Sequence, residues 1–570
     1  MSPTKKIPSP IVSLFPIIIL IGMLFATIRT FGSDALNGGS QVSLLTTTAV
    51  CIFIGITFYR IPWKDYEIAI TNNIAGVSSA IIILLIIGAL SGAWMISGVV
   101  PTLIYYGMKI IHPDFFLTTI RTFGSDALNG GSQVSLLTTT AVCIFIGITF
   151  YRIPWKDYEI AITNNIAGVS SAIIILLIIG ALSGAWMISG VVPTLIYYGM
   201  KIIHPDFFLT STCIICALVS IMTGSSWTTI ATIGIALLGI GKAQGFEEGW
   251  IAGAIISGAY FGDKVSPLSD TTVLASSVTD TPLFRHIRYM MITTIPSLVI
   301  TLIIFTVMGF TYETSGTEQI AEFAASLNSR FHITPWLLIV PVATGILIAR
   351  KMPSIITLFL STLLAAAFAI IFQPDLLYEI SGSNGLFKGT IMSLYGSTSL
   401  QSDSAMLTEL IATRGMAGMM NTIWLILCAM CFGGAMTASG MLGSITSVFV
   451  RFMKSTVSVV ASTVGSGLFL NLATADQYIS IILTGNMFSN IYEKKGYESR
   501  LLSRTTEDAV TVTSVLIPWN TCGMTQATIL SVSTLTYLPY CFFNLISPLM
   551  SILIAATGYK IIKKTVNNPG

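Results

Sequence analysis

Four stretches of this chain, Ile11–Ile28, Leu44–Tyr59, Val77–Met95 and Tyr289–Phe310, run for 16 to 22 residues without a charged side chain. Nothing else in the sequence constrains the fold as strongly. A helix rises 1.5 Å per residue, so about 20 apolar residues cross the ~30 Å hydrocarbon core of a bilayer. Soluble domains carry about 25% charged residues, whereas 9% of these 570 residues are charged and 53% are hydrophobic. The expected fold is an all-α polytopic membrane protein in a lipid bilayer. The longest polar stretches, Thr311–Ser329 and Asp375–Ser404, are loop-sized and leave no room for a large soluble domain. A net charge of +3 is uninformative about nucleic acid, but the sequence shows no basic patch of that kind and no nucleic-acid partner is expected. The first apolar run lacks a small-residue cleavage site and reads as a retained span.

Residues 27–118 recur without a single difference as 119–210, a block of 92 residues repeated at an offset of 92. Old internal repeats diverge, so this one is a recent duplication or was introduced by engineering or sequence assembly. Removing one copy leaves 478 residues. The eight cysteines include Cys213-Ile-Ile-Cys216 and Cys428-Ala-Met-Cys431. Both pairs lie in apolar runs without nearby histidines, and they read as small buried thiols rather than a redox or metal site. His204, His286 and His332 fall near expected loops and read as surface groups.

A second, diverged repeat carries more information. Gly184-Ala-Trp-Met-Ile-Ser-Gly190 resembles Gly434-Ala-Met-Thr-Ala-Ser-Gly440 at an offset of 250. The same offset carries Gly224–Trp227 onto Thr474-Ala-Asp-Gln477, and an offset of 251 carries Pro267 onto Pro518. Three interruptions in apolar runs thus recur in one order. Paired interrupted helices in two halves mark the binding site of an inverted-repeat secondary transporter. The expected organisation is 1–26 as the N-terminus and first span, 27–118 as the duplicated block, 119–310 as the first half, 311–420 as connecting loops and spans, and 421–570 as the second half and tail. Roughly 11–14 spans are expected in the core, with 2–3 more in the extra block. Lys5, Lys6, Lys560, Lys563 and Lys564 put both termini on the cytoplasmic side.

The stretch Gly258–Thr272 concentrates the chemistry: Asp263, Lys264 and Asp270 lie between apolar runs. An ionisable group at membrane depth costs at least ~2.5–3.5 kcal/mol, so function is its default reading. Gly262 and Pro267 here, and Gly224 and Pro518 elsewhere, are expected to break helices. Broken helices free backbone carbonyls and aim partial charges of about half an elementary charge at the gap. Ser225, Ser226, Thr228, Ser266, Thr271, Thr474, Asn520 and Thr521 add oxygen ligands suited to a small hard cation. No His/Cys set suits a transition metal. A buried carboxylate holds either a proton or a cation and rarely neither, which is all that exchange requires. Asp263, Asp270, Asp476, Glu507 and Asp508 are the candidates, with Lys264 as a partner. Simpler roles compete. Asp270 could cap the following helix. Glu507 and Asp508 could lie on a solvated face with Arg500 and Arg504. Asp263 and Lys264 could form a structural pair, and each hydroxyl could bond its own backbone.

Gly262-Asp-Lys-Val-Ser-Pro-Leu-Ser-Asp-Thr-Thr272 resembles the signature of the NhaC family of Na⁺/H⁺ antiporters. Thr223-Gly-Ser-Ser-Trp-Thr-Thr229, Ala473-Thr-Ala-Asp-Gln-Tyr478, Glu507-Asp508 and Pro518-Trp-Asn-Thr-Cys-Gly523 are similar to that family's other blocks. The resemblance spans essentially the whole 478-residue core. It implies a bacterial inner-membrane antiporter, not an enzyme, that extrudes Na⁺ (or Li⁺) against H⁺ by alternating access, needs no cofactor and could be a homodimer. Relatives that exchange small carboxylates such as malate and lactate give the alternative. The duplicated block departs from the family pattern.

Overall fold

A computed structural model describes residues 10–31, 39–72, 74, 131–311, 317–350, 352–382, 385–398, 400–402, 407–408, 411–441 and 449–561. Among these residues the chain is mostly helical, with the helices joined by turns and short loops. The one β-type pairing among them is an isolated bridge between Thr398 and Thr413. Among the described residues eight helices are long and apolar enough to cross a membrane, or up to ten spans if two strongly bent pairs each count as one. Their side chains explain the state. Leu, Ile, Ala and Met fill runs such as Ser170–Ile188 and Ser354–Phe372, and in lipid the helix is the open-chain structure that satisfies its own backbone.

Where both identical copies are described, they form the same helix but pack it differently. Gly39–Tyr59 and Gly131–Tyr151 are the same helix in sequence and extent. The first lies against Pro10–Phe31, where the Thr27 and Ser43 hydroxyls meet at 3.0 Å. The second lies against Met420–Ala438, where the Cys143 thiol donates to Met436 Sδ at 3.6 Å. Further along the second copy, Val191–Ile202 has 12 residues. It rises only ~18 Å and cannot cross a ~30 Å core alone.

The diverged repeat is a structural repeat. Ser170–Ile188 and Met420–Ala438 both end at a left-handed glycine, Gly190 (φ 82°) and Gly440 (φ 69°). Each half then builds a helical hairpin followed by a broken helix. The first hairpin is Phe208–Thr223 and Ser226–Ala243, with its tip at Gly224-Ser225. Its arms run back along each other: Gln244 at the end of the return arm donates to the Ile203 carbonyl, just before the first arm begins. The first broken helix is Glu248–Val265 and Asp270–Val278. The second hairpin is Thr456–Thr474 and Gln477–Lys494, with its tip at Ala475-Asp476. The second broken helix comprises Ser499–Thr506, the π-turn Glu507–Thr511, a gap around Ile517–Asn520, and Thr521–Leu530.

The two units are inverted. In the first, the hairpin's leading arm runs parallel to Glu248–Val265. A Cβ on Gly258 would lie 2.1 Å from the Cys213 carbonyl oxygen, and one on Gly262 2.5 Å from that of Ala217. In the second, Gly467 lies against Ala509 and Val510, while Asn471, one turn on, donates to the Val510 carbonyl at 2.8 Å and to the Thr513 hydroxyl at 3.1 Å, again a parallel pair. The last helix, Phe542–Thr557, compares them directly. Phe543 meets Phe261 and Ser547 meets Lys264, so it runs with the first broken helix. Asn544 donates to the Val512 carbonyl and Ser547 to Asp508, so it runs against the second.

Gly262 requires a correction. It does not break the helix, which continues to Val265. Its missing side chain lets two helices approach, and the break falls at Ser266–Ser269 around Pro267, where proline has no N–H to donate.

Candidate functional site

Each hairpin tip is seated on the break of its own half. In the first tip, Gly224 adopts φ 67°, and the helix restarts with Ser225 as its cap, its Oγ accepting from the Thr228 N–H at 3.2 Å. The tip then reaches the break. Asp263 Oδ2 accepts from the Ser226 N–H at 3.2 Å and from the Ser226 hydroxyl at 2.7 Å, and Oδ1 accepts from Ser269 Oγ at 2.6 Å. Ser266 Oγ donates to the Ile221 carbonyl at 2.8 Å and closes the seat from the other side. The carboxylate therefore faces the N-terminus of a half-helix, where backbone N–H groups and the helix dipole favour negative charge.

The second half repeats this with the roles exchanged: the carboxylate sits on the tip and the hydroxyl on the break. Ala475 is left-handed (φ 56°) and Asp476 caps the returning arm, with Oδ1 accepting from the Ile479 N–H at 2.9 Å. Asp476 Oδ2 accepts from the Thr521 hydroxyl at 3.1 Å, and the Thr521 N–H donates to the Ala475 carbonyl at 2.9 Å. Asn520 caps Thr521–Leu530 and donates to the Asn471 carbonyl at 3.1 Å.

The two units touch beside the first break. The Tyr478 hydroxyl donates to Asp270 Oδ2 at 2.9 Å, joining the second tip to the helix after the first break. Asp263 and Asp476 are buried, 6% and 1% exposed, while Asp270 remains accessible. Asp270 does not cap its helix. Ser269 does, accepting from the Thr272 N–H, which frees the Asp270 carboxylate for Tyr478.

Lys264 and Asp508 form a fully buried ion pair that ties the two inverted broken helices together across 244 residues of chain. Asp508 Oδ1 also accepts from Thr293 at 3.1 Å, Lys264 donates to Ser547 at 3.0 Å, and Arg504 Nε lies 3.9 Å from Asp508 Oδ2. The solvated-face reading of Glu507, Asp508 and Arg504 is overturned, because all three are completely buried. Among the described residues Glu507 and the Arg504 guanidinium have no hydrogen-bond partner, although the guanidinium lies 4.9 Å from the Tyr289 ring. His286 also departs from expectation. It is buried, with Nδ1 2.6 Å from Ser503 Oγ, whereas His204 and His332 are exposed.

Of the residues singled out from the sequence, Asp263 and Ser226 gather at the first seat, and Thr271 joins it through Ser269 at 2.9 Å. Asp476, Asn520 and Thr521 gather at the second, with Thr474 bonding the Asp476 carbonyl at 3.1 Å. Ser225 and Thr228 bond one another and stabilise the tip. Glu507 and Asp508 stand apart in the Lys264 network. Ser269, Tyr478, Arg504 and Thr293 were not singled out as site residues. Ser269, inside the Gly258–Thr272 stretch, is the one a local signal could have found.

Among the described residues no group of three or more His, Cys, Asp or Glu side chains could hold a metal ion. The site instead offers carboxylates ringed by hydroxyls. A hydroxyl that donates to a carboxylate can turn and present a lone pair to a cation, so one constellation can accommodate a proton or a small hard ion.

Gly224 yields a direct prediction. A Cβ there would sit 2.7 Å from Leu268 backbone and side-chain atoms in a left-handed conformation. Gly224→Ala is expected to destabilise the tip by roughly 1–2 kcal/mol from backbone strain alone, with the clash added. A thermal-unfolding scan in detergent should show it, and an unchanged midpoint would remove the tip geometry described here.

Inverted hairpin and broken-helix units, with carboxylates where they meet inside a polytopic membrane protein, define a secondary transporter. The sequence comparisons are more specific. Residues 258–559 match the Na⁺/H⁺ antiporter family. The malate-2H⁺/Na⁺-lactate antiporter of Bacillus subtilis (strain 168) is 37% identical over 439 residues, 76% of this chain and 91% of that protein. The Na⁺/H⁺ antiporter NhaC of the same organism is 35% identical over 418 residues, 73% of this chain and 90% of that protein. The arginine/ornithine antiporter ArcD of Halobacterium salinarum is 32% identical over 452 residues, 79% and 91% respectively. The chain belongs to the Na⁺/H⁺ antiporter family. The 439 residues matched in the first relative are 91% of it, which puts its length near 480 residues, the length this chain has with one copy of its repeated block.

Proposed function

We propose that this protein exchanges Na⁺, and Li⁺ in its place, for H⁺ across a bacterial inner membrane, with both termini in the cytoplasm. The observation that carries the reading is the pair of buried carboxylates, Asp263 and Asp476, each joining a hairpin tip to a helix break through hydroxyl donors. In the proton-loaded state the carboxylate is neutral and the hydroxyls satisfy it. Sodium displaces the proton, and the Ser226, Ser269 and Thr521 hydroxyls turn their oxygens toward the ion. Because proton and ion compete for the same carboxylates, the site crosses the membrane loaded with one or the other, which is antiport.

Lys264, the one cation of the Gly258–Thr272 stretch, is committed to Asp508, so the seats offer no spare positive charge to a carboxylate substrate. Everted vesicles test the reading. Adding Na⁺ or Li⁺ is expected to release protons from a preformed gradient, and adding K⁺ is not. Proton movement that requires malate or lactate would replace cation exchange with organic-anion antiport.

Every residue placed at the two seats lies after Thr210. The 478-residue form lacking residues 27–118 is therefore expected to transport at least as fast as the full chain in the same assay. Loss of transport on that deletion would show that the additional block is part of the working protein.

A further inference from the structure

At one end of the Leu283–Thr311 helix a pocket of about 480 Å³ opens between four cations, Arg285, Arg288, Arg500 and Lys560, beside Phe284 and Ile292. Among the described residues one carboxylate pairs with this cluster: Glu498 lies 3.3 Å from Arg285 and 2.5 Å from Arg500. Arg288 is exposed and makes no ion pair among the described residues. The cluster therefore carries a surplus of positive charge.

The same helix shows what lies next to the pocket. Positions 284, 288, 292, 295, 299 and 303 are spaced by three or four and share one helical face. Phe284, Ile295, Val299 and Ile303 on that face are 75%, 47%, 49% and 56% exposed. A cationic pocket thus terminates an apolar stripe that no other part of the described protein covers. An Arg guanidinium matches a phosphate oxygen pair bidentately, and basic pockets between membrane helices suit anionic headgroups.

We propose that this pocket binds the phosphodiester headgroup of an anionic phospholipid, whose acyl chain lies along Ile292, Ile295, Val299 and Ile303. A soluble phosphate shares the headgroup chemistry but gains nothing from the stripe. The Tyr289 ring, which faces the pocket, also lies 4.8 Å from Arg500 and 4.9 Å from the buried Arg504. A lipid held there therefore sits one aromatic ring away from the internal charge network.

The test uses the full chain in phosphatidylcholine nanodiscs, titrated with phosphatidylglycerol and read by native mass spectrometry of retained lipid. Phosphatidylglycerol is expected to be retained in preference to phosphatidylcholine. Arg288→Gln is expected to weaken that retention about five-fold, in line with the contribution of one cation beside an anionic headgroup. Arg451→Gln, which removes an exposed cation elsewhere, is expected to leave it unchanged. Equal retention of the two lipids, equal loss in both variants, or complete displacement by millimolar inorganic phosphate would each overturn the proposal.

Discussion

Asp263→Asn is expected to reduce sodium-dependent proton release in everted vesicles to the level of vesicles that lack the protein, while the protein still folds. The substitution keeps the shape of the side chain. An asparagine oxygen can still accept from the Ser226 N–H and hydroxyl, and Ser269 Oγ can turn to accept from the new amide rather than donate. The hydrogen bonds that seat the first tip therefore survive, and a sharp gel-filtration peak should confirm it. An amide, however, neither binds nor releases a proton and brings no negative charge to sodium. Asp476→Asn should act in the same way for transport. It should also leave the fold intact, because asparagine caps a helix such as Gln477–Lys494 about as well as aspartate does. Transport that survives both substitutions would remove these two carboxylates from the exchange.

The breaks and the inverted repeat were legible in the sequence because they are written in residue types that apolar helices avoid. Glycine at 224, proline at 267 and 518, and aspartate at 476 interrupt long aliphatic runs. The 250-residue offset joined Gly190 to Gly440, and the structure ends a helix in the left-handed conformation at both. The pairing across the protein was not legible. Nothing local says that Lys264 faces Asp508 rather than its neighbour Asp263, since that contact is set by how two distant helices cross. Arg504 and His286 misled for the same reason. Charged and polar residues near helix ends normally face water, and only the packing of Leu283–Thr311 against Ser499–Thr506 encloses them. Gly262 shows a third limit. A glycine in a helix reads equally as a break or as a close contact until the facing backbone is known.

The buried charge network gives the prediction with the largest expected effect on stability, and it has an order. Asp508 serves two cations, Lys264 directly and Arg504 at 3.9 Å. Glu507, beside it, makes no hydrogen bond to either. Asp508→Asn would therefore leave two buried cations without their carboxylate. Lys264→Met removes one cation and leaves Asp508 still accepting from Thr293 and beside Arg504. Removing one partner of a buried pair costs ~3–5 kcal/mol, because the survivor is left without compensation. Asp508→Asn should sit at or beyond the upper end of that range and Lys264→Met at the lower end. The double variant Lys264→Met, Asp508→Asn strands Arg504 alone, so it should be more stable than Asp508→Asn and less stable than the parent. Unfolding midpoints of detergent-solubilised protein would establish the ranking. If Lys264→Met proves the more damaging single change, then Arg504 is not held by Asp508, and its charge must be balanced by Glu507 on the adjoining π-turn.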